Sequence, residues 1–264
     1  MEKMDAGEFH GRELGKFKQA AFAVLPLGSF EYHGPHSPFG TDIFLAEGFS
    51  NLIRKDLNGV IYPAVPYSSC PGKTANYEGT ISVRPSTMIE YLSDILEGIL
   101  KLGIHRIVLL NAHDANMGLT RSVTEYVTIR HPEAKFLLVN WWQMVEVGKS
   151  AEIGFIGTSG RGHGGPFEMS AVKGLRPDLV NVKPEDPEFR EIDKYSTLPY
   201  VTVEGSPEAW DGYTGLISQT AIDKGKMIVK EAAENMNKLI ENWIFGTKEG
   251  DNHESGVKKA NNRD

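Results

Sequence analysis

Ala21-Phe22-Ala23-Val24-Leu25-Pro26-Leu27, running through Gly28-Ser29-Phe30 into Glu31-Tyr32-His33-Gly34-Pro35-His36, decides how the rest of the chain is read. An apolar run of that length reads as a buried strand. The polar residues after it then emerge at the strand's C-terminal end, where open α/β sheets carry ligand sites. Glu31 and His33 are two residues apart, so an extended backbone puts both on one face. The turn residues Gly34-Pro35 and Pro38-Phe39-Gly40 can fold the chain back and bring Thr41-Asp42 beside them. Imidazoles with carboxylates, and no thiolate, make a ligand set for zinc, manganese or ferrous iron. A carboxylate such as Asp42 can also bridge two ions, which would allow a pair that activates water. Gathering several ionisable groups at a strand end without a cation is costly, which favours a metal site over ordinary turn bonding.

Outward from this strand the chain alternates. Ile43 to Leu57 has helical spacing in Leu45, Phe49, Leu52 and Ile53, and Val60 to Val65 reads as a second strand. Ser86 caps an expected helix with Ile89, Leu92, Leu96 and Ile99 on one face, ended by Gly103. Ile104 to Leu110 is the next strand, Gly118 to His131 a helix and Phe136 to Trp141 a strand. This order predicts an α/β fold in which a mostly parallel sheet has helices on both faces. Further on, Phe167 to Gly174 predicts a short helix and Ser218 to Trp243 a long amphipathic one, with Pro177 to Pro199 irregular. Residues 1–246 are expected to form a single domain, and Thr247 to Asp264, charged and Asn-rich, a disordered tail.

Two more polar clusters follow the first. Leu109-Leu110 runs directly into Asn111-Ala112-His113-Asp114-Ala115-Asn116, so His113 stands at a strand tip where it can join Glu31, His33 and Asp42, with Asn111 orienting it. Gly162-His163-Gly164-Gly165-Pro166-Phe167-Glu168 places Glu168 in a first helical turn, where the helix dipole favours a carboxylate. Glu168 is a candidate fifth ligand or the base that deprotonates a metal-bound water, and His163 a candidate proton shuttle.

Bulk properties narrow the partners. The 264 residues are 40% hydrophobic and 24% charged, with a formal net charge of -7, which argues against a nucleic-acid or anionic-membrane surface and for a small molecule. One cysteine, Cys70, excludes an intrachain disulfide and is read as a packing residue. Met1 to Gly15 lacks the apolar core of a secretory signal and no apolar run approaches a membrane span, so a cytoplasmic location is expected.

With these motifs in place, the chain resembles the creatininase family of metal-dependent amidohydrolases over roughly Val24 to Val180, about three fifths of its length. Leu25-Pro26-Leu27-Gly28-Ser29-Phe30-Glu31-Tyr32-His33-Gly34-Pro35-His36 with Thr41-Asp42 is similar to the family's opening motif. Gly79-Thr80-Ile81, Asn111 to Asn116 and His163 to Ser170 resemble three others. The resemblance implies a three-layer α/β/α fold, assembly into homo-oligomers that are often hexamers, and two divalent ions, zinc first, with manganese or iron as alternatives. It implies that Glu31 and His33 each serve one metal, that Asp42 bridges them, that His113 completes one shell, and that Glu168 and His163 stand at the reaction centre.

The chain departs from the family pattern near the expected substrate position, at Lys73-Thr74, Asp114-Ala115 and Met169. Asp114, Tyr32 and Trp141 are therefore the expected substrate-binding residues, suited to a neutral polyol or polar ring. The expected function is hydrolysis of a small polar cyclic substrate, a cyclic amide or ureide or a cyclic ketone such as a diketo-inositol, by a metal-activated water. Two alternatives stand beside it. One is a deformylase acting on a pyrimidine nucleotide, with Lys73, Arg84 and Arg161 as candidate phosphate ligands. The other is a non-catalytic, metal-stabilised sugar-binding or regulatory protein.

Overall fold

A computed structural model describes residues 4–70, 74–155, 160–189 and 210–246. The expected tail, the part of Pro177 to Pro199 after residue 189, and Lys73 lie outside the described residues. Four strands, β1 Phe22–Leu27, β2 Gly59–Ile61, β3 Arg106–Asn111 and β4 Lys135–Asn140, form a parallel sheet in the order β2-β1-β3-β4. β1 is central although it contains Pro26, which has no N–H to give to a ladder. The Pro26 carbonyl accepts the Val65 N–H on the β2 side, and β2 itself has ended at Ile61, so the missing donor falls where the β1–β2 ladder is already interrupted.

Successive side chains of a strand point to opposite faces, and the core divides accordingly. Phe22 and Val24 of β1, with Val108 and Leu110 of β3, pack on α2 (Thr41–Ser50), α6 (Pro166–Leu175) and α7 (Ile222–Phe245) through Leu45, Phe49, Phe167, Ile228 and Met236. Ala23, Leu25 and Leu27, with Ile107 and Leu109, pack on α1 (Leu14–Phe17), α3 (Pro85–Lys101) and α4 (Asn116–Arg130) through Phe17, Leu92, Leu96 and Val123. A further short helix, α5 (Val147–Ile153), follows β4. The result is the expected three-layer α/β/α arrangement.

Element ends differ from the sequence reading for local reasons. The second strand stops at Ile61 because Pro63 and Pro66 break the segment predicted to reach Val65, though the Val65 N–H still reaches β1. Pro85, not Ser86, opens α3, since proline's fixed φ suits the first helical position. α2 begins at Thr41 and ends at Ser50, so Leu52 is exposed rather than on its apolar face, and Asp42 falls in its first turn. On α7, Met227 and Leu239 likewise face outward while Ile228, Met236 and Ile240 are buried. No helix among the described residues is long and apolar enough to cross a membrane.

Candidate metal centre

The register pairs Leu27 with Asn111, so the C-terminal ends of β1 and β3 lie side by side, and the Ala112 N–H continues the ladder to the Leu27 carbonyl at 2.9 Å. Glu31 and His33 therefore leave β1 beside His113 leaving β3. Asp42 reaches the same place from α2 because Gly28 lets that helix touch the strand end. A Cβ at residue 28 would stand 2.8 Å from the Ile43 Cα. Glu168 arrives from the first turn of α6. The turn before it needs a glycine as well: Gly164 has φ +62°, and a Cβ there would lie 2.6 Å from the His33 carbonyl oxygen.

Asp42 is the hinge of the resulting cluster. Its Oδ1 lies 3.3 Å from His33 Nε2 and its Oδ2 lies 3.1 Å from His113 Nδ1. On one side Glu31 Oε1 is 3.0 Å from His113 Nδ1, with Cys70 in the same group of potential ligands. On the other, Glu168 Oε2 is 4.0 Å from His33 Nε2, and His33, Asp42 and Glu168 form a second group. His163 borders both, its Nδ1 3.6 Å from Glu31 Oε1 and its ring 4.1 Å from that of His33.

Backbone carbonyls fix which nitrogen of each imidazole is free. His33 Nδ1–H donates to the Glu31 carbonyl at 3.0 Å, His113 Nε2–H to that of Ser69 at 2.9 Å and His163 Nε2–H to that of Tyr32 at 2.9 Å. A carbonyl oxygen only accepts, so the opposite nitrogen of each ring is the one turned to the cluster, the arrangement that orients histidine ligands of metals. The carboxylates are held in a similar way. Thr74 donates to Glu31 Oε2, and Ser29 donates to Asp42 Oδ2 at 2.7 Å. Glu31 Oε1 and His33 Nε2 are buried and, although 3.0 Å from His113 Nδ1 and 3.3 Å from Asp42 Oδ1, make no hydrogen bond of good geometry with any described residue.

Three carboxylates in so small a buried volume set the protonation of the cluster's own groups. Burial works against charge on His33, but Asp42, Glu168 and Glu31 outweigh it and the imidazole is pushed up to about 10. Burial likewise opposes a charge on His113, and Glu31 with Asp42 raises it well above the ordinary histidine value. Glu31 and Asp42 are depressed in turn: burial resists their ionisation, yet the neighbouring imidazoles prevail. Burial lifts Glu168 to about 7, and burial together with the charge on His33 lowers His163 to about 4. Protons on His33 and His113 thus stand where cations would balance the same carboxylates. With two orphaned buried atoms and a mixed nitrogen and oxygen donor set, the residues fit a pair of divalent cations sharing Asp42.

Glu31, His33, Asp42, His113, His163 and Glu168 are therefore brought together as expected. Asn111 accepts the His113 backbone N–H at 3.0 Å and donates to Asn140 at 2.8 Å, tying the second loop to the edge strand. Asp114 is exposed beside His113 at the start of the turn into α4. The Tyr32 ring stacks on Tyr77 at 5.0 Å.

Trp141 is a correction. It was expected at the substrate, but it is 1% exposed and stacks between Phe49 and Phe167, at 5.0 and 5.5 Å, inside the core. Arg161, a candidate phosphate ligand, instead donates to the carbonyls of Val145 and Trp142 and lies over the Phe167 ring. Sequence reasoning missed Trp210, whose ring lies 5.7 Å from His163 and whose Nε1 is buried with no hydrogen-bond partner among the described residues. It also missed Tyr77, which donates to the Trp210 carbonyl, and read Cys70 as packing alone. These contacts join segments far apart in the chain, and no local pattern announces them.

Comparison with known proteins covers most of the chain. A family model described as creatinine amidohydrolase matches residues 8–240. The chain is 26% identical over 215 residues to a 3-dehydro-scyllo-inosose hydrolase of Thermotoga maritima, covering 76% of this chain and 65% of that protein. It is 26% identical over 172 residues to a creatinine amidohydrolase of Pseudomonas putida, covering 60% and 66%. In both cases the match spans just under two thirds of the relative's length. A crystal structure of a creatinine amidohydrolase superposes with a TM-score of 0.78 at 22% identity, covering 94% of this chain and all of that one, which shows a shared fold.

Proposed function

Because the chain belongs to the creatininase family, we propose that it is a two-metal hydrolase that opens a small, polar, cyclic substrate at a carbonyl carbon. Glu31, Asp42 and His113 would hold one cation and His33, Asp42 and Glu168 the other. Zinc is the first choice for this donor set, with manganese or iron as alternatives. Such ions supply Lewis acidity, which acidifies a water and steadies charge developing on a carbonyl oxygen. The observation that carries the reading is Asp42, with one oxygen turned to each of two buried imidazoles.

The chain's own groups divide the remaining work. Glu168, whose Oε2 faces the His33 side and accepts the Gly164 N–H, would take a proton from the attacking water at its other carboxylate oxygen. His163, with its Nε2–H held by the Tyr32 carbonyl, would present Nδ1 to the cluster and carry a proton to the leaving group. Trp210 gives the substrate an aromatic face and an unpaired indole N–H, and Tyr32 stacked on Tyr77 makes a second wall. Asp114, exposed at the second loop, is placed to accept hydrogen bonds from substrate hydroxyls.

A cyclic amide, a cyclic ureide or a cyclic ketone of the diketo-inositol type suits these walls. A nucleotide phosphate suits them less, since Arg161 is committed to backbone carbonyls and Arg84 lies exposed at the start of α3. The same reading takes residues 1–246 as one catalytic domain in a homo-oligomer, to be measured by light scattering.

The test is elemental analysis of the purified protein, followed by a hydrolysis screen over cyclic amides, ureides, formamides and oxidised inositols with and without chelator. Two metal equivalents and chelator-sensitive turnover of a cyclic substrate are expected. A metal-loaded protein inert to the whole screen would favour the non-catalytic alternative.

A further inference from the structure

The two halves of the cluster are chemically unequal. His33 Nε2, Asp42 Oδ1 and Glu168 Oε2 offer three nitrogen and oxygen donors. On the other side, Glu31 and His113 lie with Cys70 in a group whose potential ligand atoms all fall within 4.8 Å of one another. Asp42 Oδ2 lies 3.1 Å from His113 Nδ1 and so brings a fourth donor to that side. We propose that Cys70 Sγ, Glu31 Oε1, Asp42 Oδ2 and His113 Nδ1 form a closed, four-donor, thiolate-bearing zinc site, while the His33 side stays open to substrate. The inference rests on the two-metal reading and assigns the ions different roles within it.

Several observations aim the thiol at a cation rather than at ordinary packing. Glu31 Oε1, on a residue only 1% exposed, makes no hydrogen bond of good geometry with any described residue and faces this group. Cys70 is itself 1% exposed, and its backbone is pinned by an N–H bond to Ser82 Oγ at 2.9 Å. The thiol's own hydrogen-bond contact is a long one, 3.9 Å to the Ser68 carbonyl. The preceding residue, Ser69, accepts His113 Nε2–H, so one dipeptide braces the imidazole from behind and brings sulfur alongside its free nitrogen.

Four donors including sulfur and imidazole match the tetrahedral preference of zinc, and a thiolate disfavours manganese or magnesium. Closed four-donor sites hold their ion, whereas three protein ligands leave a position for water or substrate. As sulfur binds the metal, the thiol proton leaves to solvent.

Cobalt(II) tests this without any assay of activity. Wild-type protein loaded with two cobalt equivalents should show the near-ultraviolet thiolate-to-cobalt charge-transfer band, at an intensity set by one of the two ions. C70S and C70A should both lack the band. Each should bind one of its two zinc equivalents at least about tenfold more weakly, since even outer-shell partners of a ligand change affinity by ~10–100-fold. Two bound cobalt ions in the wild type without the band would overturn this assignment and leave the two-metal hydrolase standing. Failure of the wild-type protein to bind cobalt or zinc at all would overturn both.

Discussion

The Gly164 N–H donates a 2.8 Å hydrogen bond to Oε2 of Glu168, four residues further along the chain. The bond steadies an ionised carboxylate, and burial pushes the other way, leaving the group near neutrality rather than fully charged. Gly164 is held in turn by His36, whose Nε2–H donates to its carbonyl at 2.9 Å. A side chain whose proton affinity is set by such a balance is suited to give and take a proton at pH 7.

Glu168→Gln should therefore lower kcat by roughly 10²–10⁴-fold, the range for losing a positioned acid or base. Steady-state kinetics beside circular dichroism would check it. Near wild-type turnover in a folded Glu168→Gln protein would remove Glu168 from the chemistry.

Asp42→Ala should release both cations, because each half of the cluster uses one oxygen of that carboxylate. Metal content after dialysis is the readout, and a variant that keeps two equivalents would refute the bridge.

Stability should respond to pH differently with and without metal. His33 is raised from 6.5 to about 10, so the metal-free fold binds a proton that the unfolded chain has released. Its stabilising contribution is complete below 6.5 and is lost as pH climbs through 10. The chelated protein should lose thermal stability between pH 7 and 10. The loaded protein, whose His33 carries no such proton, should show a flatter profile in a melting series.

The two tryptophans should separate cleanly. Trp141→Ala should cost about 3–5 kcal/mol of unfolding free energy, as for a large aromatic removed from a core. Trp210→Ala, which also removes a buried indole, should in addition raise KM by about 2- to 10-fold, the equivalent of one lost aromatic contact. A Trp141→Ala protein with normal stability and a raised KM would return that residue to the substrate.

What could be read from the sequence was local in origin. Glu31, His33 and Asp42 sit within twelve residues of one another after a buried strand, and the turn residues between them announce the reversal that joins them. His113 was legible because Leu109-Leu110 marks a second strand ending in the same layer. Glu168 was legible from its place at a helix start. Thr74, Cys70 and Trp210 were not, since their partners are reached only through the tertiary fold. Trp141 was misread for a related reason. An indole just past a strand end carries the same local signal whether it turns to the site or to the core, and here Phe49 and Phe167 decide it.

The imidazoles at the centre are each tethered to a main-chain carbonyl, while the aromatic rings of Tyr32, Tyr77 and Trp210 lie beside them on loops. Divergence among descendants can therefore proceed among these rings by exchanging side chains, with the cluster of carboxylates and imidazoles inherited unchanged. An engineer seeking a new specificity has the same freedom, and would begin at residue 210.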